Sequence, residues 1–155
     1  MAADDLRALA RRVPGAVAVV TVPGEQPLGL TVSSFVTLSL EPPLVGVAVA
    51  RTAALHELLR EAGAFAVSVL AAGQEHLAQH FARGVPPIAL WQGIESEPGS
   101  TGAPLLRGAV GWAECRLHAE HAVGTHTLFV GEVVRVEQGA AARALVRVEG
   151  EYRAA

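Results

Sequence analysis

Thr31, Ser33 and Ser34 place three hydroxyls within four residues, between Gly29 and Phe35. Small hydroxyls and their neighbouring backbone N–H groups can hydrogen-bond a heteroaromatic edge or a phosphate without filling the space the ring needs. The same residues can equally line a strand edge, and their spacing leaves both readings open. Histidine supplies the next candidates. His76 and His80 stand at i and i+4, a spacing that can hold zinc, but the Glu of an H-E-x-x-H motif is missing between them and no third ligand stands out. His118 and His121 lack carboxylates at ligating spacing and read as a solvated pair, so no metal is expected. His126 can position a substrate or simply cap a strand. Cys115 is the only cysteine, which excludes an internal disulfide and a cysteine zinc site; next to Glu114 in an apolar stretch, it reads as core.

Absences narrow the chemistry further. The chain has no lysine, which removes Schiff-base and P-loop mechanisms, and no G-x-G-x-x-G, so a nicotinamide would not be held by a Rossmann fingerprint. A net charge of -3 with scattered arginines argues against nucleic acid as a partner. The acidic start Met1-Ala2-Ala3-Asp4-Asp5 is unlike a signal peptide, and no apolar run has the length of a membrane span. We therefore expect a cytoplasmic protein that does not engage the membrane. With 155 residues, 51% hydrophobic and 17% charged, residues 1–155 are expected to form one domain with a sizeable core.

Hydrophobic period predicts the elements that must carry these residues. Leu6, Leu9, Ala10 and Val13 fall at helical spacing over Asp4 to Arg12. Ala16 to Val22 is a β-branched run, and the turn Pro23-Gly24-Glu25-Gln26-Pro27 leads to a second strand near Leu28 to Phe35, making a hairpin. Glu41-Pro42-Pro43 breaks the chain before a third strand, Leu44 to Ala50. A helix with Leu55, Leu58 and Leu59 on one face stops at Gly63, a strand follows over Phe65 to Leu70, and Gln74 to Arg83 is a helix with Leu77, Ala78 and Phe81 inward. Gly84 to Gly102, carrying Trp91, is expected to be irregular, as lids and binding loops often are. Strands over Ala109 to Glu120, Thr127 to Glu137 and Ala144 to Val148 complete a chain that is mainly β with inserted helices. The order, without βαβ alternation, points to an antiparallel barrel.

The segment Gly29-Leu30-Thr31-Val32-Ser33-Ser34-Phe35, followed by Ser39-Leu40-Glu41-Pro42-Pro43-Leu44-Val45, resembles the motif of the flavin reductase-like family. These are small reductases with an FMN-binding split-barrel fold that serve two-component monooxygenases. The resemblance continues through Gly63-Ala64-Phe65-Ala66-Val67-Ser68-Val69-Leu70, Gln74 with Leu77-Ala78 and Phe81-Ala82, and Gly108-Ala109 with Glu114-Cys115. It ends with Gly124-Thr125-His126-Thr127-Leu128-Phe129-Val130-Gly131-Glu132-Val133 and Gly150-Glu151-Tyr152.

The resemblance implies an FMN-binding split β-barrel, a Greek-key antiparallel barrel. It also implies an NAD(P)H:flavin oxidoreductase that passes hydride from NADH or NADPH to FMN or FAD and supplies a partner monooxygenase. The alternative is a non-catalytic FMN-binding protein of the same fold. Thr31, Val32, Ser33 and Ser34 would contact the isoalloxazine and ribityl chain, with Ala48, Val49 and Ala50 on the other side of the ring. Arg51, Thr52 and Ala53, with the helix start behind them, would approach the phosphate. Phe81 and Arg83 would form a second contact region, Arg83 being the preferred cation. His126 would position the nicotinamide, with the Gly84 to Gly102 segment as a cover. Family members are typically homodimers, and a homodimer is expected here. Two departures stand out: alanines occupy positions near 50 and 53 where many relatives carry Asn and Ser, and the family's Gly-Asp-His is Gly124-Thr125-His126.

Overall fold

Valine-rich runs become strands, and runs with leucine at helical spacing become helices. The computed structural model describes residues 2–155. In chain order the elements are α1 (Ala3–Arg11), β1 (Gly15–Ala16), β2 (Ala18–Val22), β3 (Leu28–Val32), β4 (Val36–Leu40), β5 (Pro43–Ala50), α2 (Ala54–Ala62), β6 (Ala64–Val69), α3 (Glu75–Ala82), α4 (Pro87–Leu90), β7 (Ser96–Pro98), β8 (Pro104–Leu106), β9 (Gly111–Val123), β10 (His126–Gln138), β11 (Leu145–Val148) and β12 (Glu151–Ala154). Seven strands make one sheet in the order β3-β2-β6-β9-β10-β5-β4. Every pairing in it is antiparallel. Two small antiparallel sheets, β1-β11-β12 and β7-β8, lie apart from it.

The core is built on the valines of β2 and β5. Val19, Val20, Val47 and Val49 pack with Phe65, Val67 and Phe129, and with Leu55 and Leu59 of α2 and Leu77 and Phe81 of α3. All five residues of β2 are buried. Its one hydroxyl is satisfied there, with Thr21 donating to the Pro104 carbonyl at 2.7 Å. α2 ends as expected at Gly63, which adopts φ +64° and returns its N–H to the Leu59 carbonyl.

Several elements differ from the sequence expectation. The second strand stops at Val32, not Phe35; the chain bends through Ser33-Ser34-Phe35, and β4 pairs back onto β5 as a hairpin. The segment expected to be irregular contains the short α4 and the strand β7, which pairs with β8. Leu58 is partly exposed, and His56 takes the buried place between Leu55 and Leu59. Helix α1 forms as expected, but it buries none of its residues, and Leu6, Leu9 and Val13 face outward.

Candidate functional site

The two ends of the large sheet meet at one side chain. Ser34, just past β3, accepts a hydrogen bond from the Ala48 N–H at 2.9 Å and donates to the Ala48 carbonyl at 3.0 Å. Its hydroxyl thus behaves as a strand residue would, and it draws β3, at one edge, against β5, next to the other. Beside this seam lies a cleft of about 340 Å³, lined on one side by Leu30 to Ser34 and on the other by Ala48, Ala50, Ala53 and His126. Its floor is small because antiparallel pairing sets Ala48 beside Leu128 and Ala50 beside His126, and both alanine side chains end at Cβ.

The three expected hydroxyls have different roles. Thr31 donates to the Ala78 carbonyl of α3 at 2.7 Å, and Ser34 is engaged at the seam. Ser33 is exposed and its Oγ has no hydrogen-bond partner among the described residues, so it is the hydroxyl left for a ligand. Val32 lines the cleft. Val49 does not: strand alternation turns it into the core at 1% exposure, so only its backbone can face a ligand.

Arg51 is used within the fold. Its N–H donates to the Thr125 carbonyl and its guanidinium to the Gly124 carbonyl, so it braces the turn between β9 and β10. Thr52 is exposed and does not line the cleft. Ala53 does, as the N-cap of α2, and no side chain caps that helix start. Its first-turn N–H groups and dipole therefore sit at the cleft wall with the chemistry of an anion site.

Beyond Leu30 and Ala53 the cleft adjoins a second one of about 300 Å³, walled by Phe81, Val85, Pro86, Pro87 and Leu90. Phe81 is buried here, and a Cβ on Gly29 would lie 2.7 Å from its ring, so the glycine is what lets the ring lie on β3. Trp91 does not cover the cleft. Its indole N–H donates to the Pro27 carbonyl at 2.7 Å and its ring packs on Phe81, which makes it an anchor for the preceding loop. Arg83, at the end of α3, is exposed and lines neither cleft.

His126 opens β10 opposite Ala50, with Nδ1 2.9 Å from the Thr125 hydroxyl. Thr125 thus holds the ring where the related motif has an aspartate, but a carboxylate can only accept from Nδ1–H. A hydroxyl can donate to Nδ1 of a neutral imidazole and leave the proton on Nε2.

Sequence reasoning missed His56. The ring is buried, with Nε2 2.7 Å from the Thr127 hydroxyl and Nδ1 2.9 Å from the Glu57 carboxylate, and it packs on Phe129. It ties the start of α2 to the start of β10, the two elements that present Ala53 and His126. The His56 hydrogen bond, with Arg60 adding to it, holds the Glu57 carboxylate below its usual range. A histidine at helical spacing from Leu59 was the available signal. Glu114 is also buried. Its carboxylate accepts from the Ser100 hydroxyl at 3.1 Å and the Thr101 N–H at 3.2 Å, which pins the turn before β8. Cys115 is core as expected, and burial, with Glu114 adding to it, pushes its thiol up to about 12. On α3, His80 donates to the Leu90 carbonyl at 2.7 Å.

Comparison with known proteins adds a family match and close relatives. Residues 10–155 match the family model described as "Flavin reductase like domain". The chain is 41% identical over 143 residues to an NADH-dependent FAD reductase of Streptomyces globisporus, covering 90% of this chain and 79% of that one. It is 42% identical to the reductase component of 4-hydroxyphenylacetate 3-monooxygenase of Thermus thermophilus, covering 94% and 91%. Among solved structures, the flavin reductase component of a bacterial two-component tryptophan halogenase superposes with a TM-score of 0.92 at 40% identity, covering 99% of this chain and 98% of that one.

Proposed function

We propose, since the chain belongs to the flavin reductase-like domain family, that it is an NAD(P)H:flavin oxidoreductase working in the cleft between β3 and β5. The observation that carries this reading is the cleft's composition: a floor of alanines with room for a planar ring, one free hydroxyl at Ser33, and His126 at the rim. FMN or FAD, when bound, supplies the acceptor for a hydride from the nicotinamide of NADH or NADPH. The residues present fit that group. Ser33 and the backbone around Val32 hydrogen-bond the ring edge, Ala48 and Ala50 leave its face open for a second ring to stack, and the uncapped start of α2 receives the phosphate. His126 donates from Nε2 to orient the incoming nicotinamide. No strong base is needed, and among the described residues that line the cleft this imidazole is the one titratable side chain. Arg83 approaches the phosphate only by swinging in from the end of α3.

The chain is read as one domain, a split barrel in which the Ser34–Ala48 seam is the closure. It is read as a cytoplasmic protein that hands reduced flavin to a flavin-dependent oxygenase. A homodimer is supported by the edge strand β4, where Val36, Leu38 and Leu40 are exposed, the last at 84%. An uncovered apolar edge is an aggregation hazard that a second copy removes. Leu38 and Leu128 both crowd Gly46, two residues along β5 from Ala48 at the cleft floor, so a partner on this strip would also wall the cleft.

Anaerobic mixing with FMN or FAD and NADH or NADPH tests the reading. The oxidised-flavin band should bleach with turnover. Flavin that binds without bleaching would leave a non-catalytic flavin carrier instead.

A further inference from the structure

A third groove, of about 460 Å³, opens on the far side of Ser33. α1 and the β11–β12 turn form its walls, and Arg7, Arg11 and Arg147 line it with one carboxylate, Glu149. Three guanidiniums around one groove run against the chain's net charge of -3. Arg7 is paired with Asp4 at 2.9 Å, but neither Arg11 nor Arg147 has a carboxylate within ion-pair reach among the described residues. Arg11 leans on the β11–β12 turn, donating to the Glu149 carbonyl at 3.3 Å, and Arg147 lies over the Tyr152 ring at 4.3 Å. Packing therefore holds both guanidiniums in place while leaving donors for an anion.

Ser33 lines this groove as well as the ring cleft, so the two adjoin at that residue. The cleft on the other side, beyond Leu30 and Ala53, has no ionisable side chain in its lining. The proposed reaction brings two anionic nucleotides to one ring cleft. The start of α2 accounts for the flavin phosphate, and nothing at that end accounts for the second. We propose that the Arg7–Arg11–Arg147 groove binds the pyrophosphate of the nicotinamide dinucleotide while its nicotinamide lies over the flavin beside Ser33 and His126. This rests on the reductase reading above. Planar guanidiniums from two elements suit two adjacent phosphates, which a single lysine would meet only as a point charge.

Steady-state kinetics on the full chain separates this site from the flavin site. Arg11 is left intact because it supports the β11–β12 turn; Arg147→Gln and the double variant Arg7→Gln/Arg147→Gln are compared with the parent protein. The double variant should raise the KM for NADH about tenfold or more and flatten its dependence on salt, while flavin affinity, read by fluorescence quenching, changes less than about twofold. Unchanged KM and salt dependence would overturn the proposal. So would a loss of FAD affinity with FMN affinity and KM intact, which would give the groove to the adenylate half of the flavin. If the parent protein bleaches no flavin, the reductase reading has failed, and ADP then tests the groove alone by calorimetry: binding weakened in the double variant supports the site, and no binding to the parent protein refutes it.

Discussion

Three hydroxyls that look alike in the sequence divide into two that hold the fold and one that is left free at the cleft. Replacing Ser34 by Ala removes both partners of the Ala48 peptide and should destabilise the protein by about 1–3 kcal/mol, measured by urea unfolding. Replacing Ser33 by Ala should leave the unfolding midpoint in place and weaken flavin binding several-fold in a fluorescence titration; equal effects of the two changes would break the division. Cys115 gives a second test at this scale. With its thiol pushed up to about 12 by burial, it should resist a thiol reagent in the native protein at pH 9 and react once denatured. Because the folded value is raised, only the unfolded chain releases the proton above the ordinary thiol range, so stability should fall as pH rises there, and Cys115→Ser should flatten that limb. The positions of Ser33, Ser34 and His126 were legible because they belong to a recognisable motif. Which hydroxyl is free was not, since the partners of Thr31 and Ser34 come from α3 and β5, 47 and 14 residues away.

The hydrophobic period located most elements. Leu77, Ala78 and Phe81 face inward on α3 as their spacing demands, and Gly63 ends α2. β4 was missed although Val36-Thr37-Leu38-Ser39-Leu40 alternates cleanly, because its apolar side chains are exposed and nothing within the chain covers them. The short β7 and β8 stabilise each other only as a pair, which no local pattern announces. Strand β10 carries a sharper constraint. Its register with β9 shifts between Val130 and Gly131, and a Cβ on Gly131 would lie 2.5 Å from Phe65 Cζ and 2.7 Å from Cys115 Cβ. Gly131→Ala should therefore cost about 1–3 kcal/mol through overpacking, seen as a lower urea midpoint. A Phe65→Leu partner substitution should recover part of that loss.

At the scale of the whole molecule, the exposed leucines of β4 make a prediction about assembly. Gel filtration of the parent protein should report a dimer, and Leu38→Glu/Leu40→Glu should report a monomer with unchanged secondary structure by circular dichroism. A parent protein that elutes as a monomer removes the homodimer. The arginine groove was beyond sequence reading because it gathers residues from elements far apart in the chain, such as Arg11 with Arg147.

The seam at Ser34 and Ala48 joins the sheet by a side chain where every other neighbouring pair of strands is joined by a ladder. A ring lodged between Ser33 and Ala50 would bridge that junction from the outside. Ligand occupancy would then slow solvent exchange at the Ala48 amide, so a single proton signal would report both the opening of the seam and the filling of the cleft beside it.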